Sequence, residues 1–114
     1  MSVRILLHRA VLIATFLFPS ALLASQEGAE ISPERQSQLI HLLRHDCGSC
    51  HGMTLKGGLG PSLLPDALAG KAPDLLENII YFGLPERAMP PWEGLLTRGE
   101  IHWLVERLQK GEIP

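Results

Sequence analysis

The sequence predicts an all-α fold of three to four short helices gathered around one site. Three observations carry that expectation. Apolar residues recur at helical spacing in three segments, each opened by a capping signal. No segment shows the two-residue alternation of a strand. The stretches between the segments are irregular, rich in glycine and proline, and too short for a second domain.

The chain starts with a stretch of different character. Arg4 and Arg9 give it positive charge, Ala10 to Phe18 is an unbroken apolar run, Pro19-Ser20 breaks it, and the small residues Ala21 and Ala24 follow. That order predicts a secretory signal over residues 1–24, cut after Ala24. Nine apolar residues fall well short of the ~20 that span a bilayer, so no membrane anchor is expected after cleavage. A single domain of 90 residues remains, at 25–114, and loss of the two arginines shifts the formal charge from −2 to −4. Such a charge excludes a basic footprint for nucleic acid. It suits docking against a basic patch on a partner.

The first helix opens at Ser32-Pro33, with serine as N-cap and proline at the first helical position. Leu39, Ile40, Leu42 and Leu43 form its apolar stripe, and it runs into Cys47-Gly48-Ser49-Cys50-His51. This is C-x-x-C-H, the pattern of a covalent c-type haem attachment. Two thiols at this spacing reach the two vinyl groups on one porphyrin edge, and the histidine that follows is carried under the iron. Other readings fit less well. A thioredoxin-like pair needs a βαβ setting, and no strand pattern is near. A structural zinc site takes four ligands, and the other histidines, His41, His45 and His102, supply no second pair. A plain disulfide leaves His51 without a role.

A glycine-rich loop follows, with Gly52, Gly57, Gly58 and Gly60, which lets backbone approach a flat cofactor. Pro61 has no N–H, but its carbonyl is free to accept from a ligating histidine. A short turn is expected over Asp66 to Ala69. The second helix opens at Pro73, carries Leu75, Leu76, Ile79, Ile80 and Phe82, and stops at Gly83. Ala88-Met89-Pro90-Pro91-Trp92 is stiff and extended, and its two prolines remove N–H donors that an apolar crevice would orphan. Met89 lies 38 residues past His51, enough chain to wrap around the ring and place its thioether on the opposite side of the iron. Met53 is tethered two residues from His51 and cannot cross over. His102 is the rival ligand, but it falls within the third helix and is expected to serve surface or packing. That helix opens on Thr97-Arg98-Gly99-Glu100, a capping box, buries Ile101, Leu104, Val105 and Leu108, and ends before Gly111.

Three strings, Cys47 to His51, Gly57-Gly58-Leu59-Gly60-Pro61-Ser62-Leu63 and Met89-Pro90-Pro91-Trp92, resemble the class I cytochromes c over essentially the whole of 25–114. The runs CGSCHGMTLKGGLGPSL and MPPWEGLL look most like the NirC-type monohaem cytochromes associated with cytochrome cd nitrite reductase. The resemblance implies one haem c bound through Cys47 and Cys50 by the cytochrome c maturation machinery. It implies His51 and Met89 as axial ligands, Pro61 as acceptor from His51, and Gly60, Leu63, Pro90 and Trp92 as supports of the pocket. It further implies a periplasmic electron carrier rather than an enzyme, with the nitrite reductase as redox partner in denitrification. A part in maturing the reductase's haem d is the alternative. A peroxidase-like haem fits less well, because no distal acid–base pair is evident. One departure stands out. The first helix offers Leu42 and Leu43 where many class I members place an aromatic residue against the last helix, and the last helix itself supplies Trp103.

Overall fold

A computed structural model of the chain describes residues 30–113. The expected signal segment lies outside these residues. Helix α1 spans Pro33–Leu42, and its start follows from local chemistry: the Ser32 hydroxyl accepts from the Arg35 N–H at 3.3 Å, with proline next in line. The helix then passes without a break through a π turn, Leu43–Cys47, into α2, Gly48–His51. The π turn is wider than an α turn and shifts which side chains share a face. Leu39 and Leu43 point into the core, while Cys47, Cys50 and His51 border a cleft. Gly52, with φ of 85°, ends the run.

Helix α3, Pro65–Leu68, is the short turn expected near Asp66, set one residue earlier. Helix α4 runs from Pro73 to Phe82 and ends at Gly83, where φ is 69°. Helix α5, Arg98–Lys110, opens on the expected capping box. The Thr97 hydroxyl accepts from Glu100 N–H at 3.2 Å, and the Glu100 carboxylate accepts from Thr97 N–H at 2.7 Å. Gly111 closes it in the left-handed conformation. Counting α1, the π turn and α2 as one continuous helix gives four helices, and no strand occurs among the described residues.

The core is aliphatic. Leu39 and Leu43 from the first helix meet Ile101, Leu104, Val105 and Leu108 of α5, with Leu55, Leu68 and Leu96 filling in from the connecting segments. Leucine therefore does meet the last helix, while Trp103 is half-buried beside the core with the Arg107 guanidinium 4.7 Å over its ring. Two ion pairs tie α5 to its neighbours, Arg35–Glu100 toward α1 and His102–Glu77 toward α4. Helix α4 is strongly apolar, yet none of its residues is fully buried. Its apolar face is turned to the cleft, with Leu76, Ile79 and Ile80 in the wall. Among the described residues no helix is long and apolar enough to cross a membrane.

Candidate haem site

The cleft has a volume of about 680 Å³, within the usual ~300–1,000 Å³ range of sites that enclose an organic ligand. Cys47, Cys50 and His51 form one wall, and Met89, Pro90 and Trp92 contribute to another. Gly60, Pro61 and Leu63 complete the border beside His51.

The histidine wall is built by backbone bonds that wrap the glycine loop around the end of α2. Gly57 N–H donates to the His51 carbonyl and Gly60 N–H to the Cys50 carbonyl, both at 2.8 Å. Gly60 then lies so close that a Cβ there would stand 2.8 Å from His51 Nδ1 and Cε1. Only glycine fits without displacing the ring. The next residue supplies the orienting contact, because His51 Nδ1 lies 2.7 Å from the Pro61 carbonyl oxygen. A carbonyl only accepts, so Nδ1 must carry the proton and Nε2 is left with its lone pair free. A metal-ligating histidine takes this tautomer, fixed by a carbonyl on its other nitrogen.

The methionine wall hangs from the end of α4. After Gly83 the chain turns through Leu84–Met89. Leu84 N–H donates to the Met89 carbonyl at 3.0 Å, and Glu86 takes a φ of 63°. A side chain at Gly83 would meet the Pro90 carbonyl carbon at 2.7 Å and the Met89 oxygen at 2.8 Å. Trp92 N–H, the first donor after the two prolines, is satisfied by the Ile80 carbonyl at 3.1 Å. Pro90 thus borders the cleft, and neither it nor Pro91 has an N–H group to orphan.

Cys47 and Cys50 are not joined by a disulfide. Burial, reinforced by the Asp46 charge, pushes the Cys47 thiol up to about 11. This is opposite to the lowered pKa of a reactive Cys-x-x-Cys thiol, so thiolate chemistry at Cys47 is disfavoured. The donor set fits a haem: two thiols one turn apart, an imidazole held through Nδ1, and a methionine and aliphatic side chains lining the same cleft. Asp46, Lys71 and Arg87 are the charged residues lining the cleft, so the acidity of the chain as a whole is not repeated there.

Met53 is exposed and lies outside the cleft, as does His102, whose Nδ1 lies 2.8 Å from Glu77 Oε1. The expectation that His41 and His45 make no pair is corrected by the structure: their ring centroids are 4.2 Å apart. The signal was present in the H-x-x-x-H spacing, which puts both rings on one helix face. Lys71 and Arg87 had no local signal, because only the tertiary fold brings them to the cleft.

Comparison with known proteins places the chain among c-type cytochromes. Residues 34–106 match the family described as cytochrome C oxidase, cbb3-type, subunit III. A protein of Pseudomonas aeruginosa named cytochrome c55X is 56% identical over 79 residues, spanning 69% of this chain and 66% of that one. A solved structure titled c-type cytochrome NirC is 54% identical and superposes with a TM-score of 0.71, covering 72% of this chain and 96% of that one. A second P. aeruginosa protein, named dihydro-heme d1 dehydrogenase, is 38% identical over 67 residues, which is 59% of this chain but only 14% of the relative.

Proposed function

The chain belongs to the class I cytochrome c family, with one covalently bound haem c, and from that premise we propose that it is a periplasmic carrier of single electrons serving cytochrome cd nitrite reductase. In this proposal Cys47 and Cys50 hold the cofactor by thioether bonds, and His51 and Met89 bind its iron from opposite sides. The bound haem supplies a one-electron couple at its iron.

Everything else is the work of the chain. The contact of His51 Nδ1 with the Pro61 carbonyl carries the reading, because it orients the ring and leaves Nε2 available to a metal. Gly60 gives that ring its room. The Gly83 turn and the Trp92 N–H hold the segment bearing Met89 against α4. Leu76, Ile79 and Ile80 would give the group an apolar wall, and a thioether paired with imidazole would raise its reduction potential. Two protein ligands leave no open position for substrate. That argues for electron transfer over peroxidase-like chemistry.

Stopped-flow mixing of the reduced protein with purified cytochrome cd nitrite reductase tests the proposal. Oxidation of the cytochrome that accelerates with reductase concentration supports it; none beyond the rate in buffer alone overturns it. The partial match to a protein named dihydro-heme d1 dehydrogenase favours a second reading, service to maturation of the reductase's haem d. Deleting the gene separates the two. A reductase that still acquires haem d but loses turnover in intact cells points to electron delivery, whereas one lacking haem d points to maturation.

A further inference from the structure

We propose that His41 and His45 form a surface site for a divalent transition-metal cation, with copper(II) bound most tightly. His41 sits in the last turn of α1 and His45 in the π turn that follows. Both are exposed and neither lines the haem cleft. Their ring centroids are 4.2 Å apart, with the planes tilted by 40°. The histidine hydrogen bonds and ion pairs among the described residues belong to His51 and His102, so the nitrogens of His41 and His45 are uncommitted.

The chemistry follows from spacing and ligand type. Side chains four apart on a helix project from one face. Two imidazole nitrogens bound ~2.0–2.1 Å from one ion stand about 3 Å apart. Ring centroids 4.2 Å apart put the two imidazoles within reach of one shared ion. Imidazole selects copper, nickel and zinc over magnesium or calcium, and the order of divalent affinities places copper(II) first. Two protein ligands leave the remaining positions to water, which makes the site open and exchangeable. His45 is two residues before Cys47, so an ion bridging the pair would brace α1 against the turn that aims the attachment cysteines.

Calorimetric titration of the haem-loaded protein with copper(II) at neutral pH tests the site. One equivalent should bind, with nickel(II) and zinc(II) weaker. His41→Ala and His45→Ala should each weaken copper binding roughly tenfold or more, since half the protein ligands are lost. His102→Ala should bind like the parent. Electron paramagnetic resonance of the copper complex should show two nitrogen ligands, reduced to one in either variant. Both positions are exposed, so an unchanged haem spectrum confirms that the variants are folded. Copper binding that survives both substitutions, or is lost only in His102→Ala, overturns the proposal, as does the lack of one-equivalent uptake by the parent.

Discussion

The contact between Gly60 and His51 makes the sharpest prediction at the residue scale. A methyl group at position 60 would stand 2.8 Å from two atoms of the imidazole, well inside van der Waals contact. The ring cannot yield without giving up the Pro61 carbonyl. Gly60→Ala should therefore cost about 1–3 kcal/mol, as overpacking does, and also disturb the ligand field. Denaturant unfolding reads the first effect and the haem spectrum the second, and an unaltered spectrum would mean that His51 is not oriented as described. Met89→Ala should keep the covalent haem but lower the reduction potential and open the sixth position. Loss of the weak near-infrared sulfur-to-iron band and uptake of carbon monoxide by the reduced protein would show it. An unchanged potential and spectrum would remove Met89 from the ligand set. That these residues share one cleft was legible in the sequence because the signals are local: C-x-x-C-H is five consecutive positions, and Met89 was singled out by the prolines beside it. Lys71 and Arg87 were not, since nothing near them in the chain marks them.

At the scale of elements, α5 is held at its start by one carboxylate that serves two purposes. Glu100 closes the capping box and pairs with Arg35 across to α1. The Arg35 guanidinium holds the Glu100 carboxyl below its ordinary value, with the Thr97 N–H and hydroxyl adding to the effect. A lowered folded value means that this stabilisation is present above the unfolded value of 4.5 and is lost as pH falls through the folded value. His102 works in the other direction. Glu77 raises its pKa above the ordinary 6.5, so its bond to α4 is present below 6.5 and fades as pH rises through the folded value. His102 is largely exposed and its contribution is small. Denaturation midpoints measured against pH should show the gap between parent and Glu100→Gln closing below about pH 4.5, and the gap for His102→Gln closing above about 6.5. Thr97→Ala should cost about 1 kcal/mol at neutral pH. The helix starts were legible because caps are written locally, in Ser32-Pro33, Pro73 and Thr97 to Glu100. The π turn was not. It is a choice of hydrogen-bond register over Leu43–Cys47, and no residue type there demands it.

For the whole molecule, the cleft and the core share their walls. Leu43, Leu68, Leu96, Leu104, Val105 and Leu108 belong to the buried core and also line the cleft. The cleft is therefore not a pocket cut into an independently stable body. It is one side of a small aliphatic core whose other side is closed by α1 and α5. Helix α4 shows the consequence, since it packs on α5 and the core while Leu75, Leu76, Ile79 and Ile80 also line the cleft. A domain this small buries too little apolar surface to tolerate an unfilled cleft. A covalently held porphyrin, by contrast, would give α4 and the Met89 segment something to pack on. Replacing both Cys47 and Cys50 by alanine should thus abolish cooperative folding rather than merely release a cofactor. The variant should retain part of its helical circular dichroism, lose a sharp thermal transition and bind the dye ANS through exposed aliphatic surface. A cooperative melt at the parent's midpoint in the haem-free variant would mean that α1 and α5 sustain the fold alone, and that the cleft is an addition to the core and not part of it.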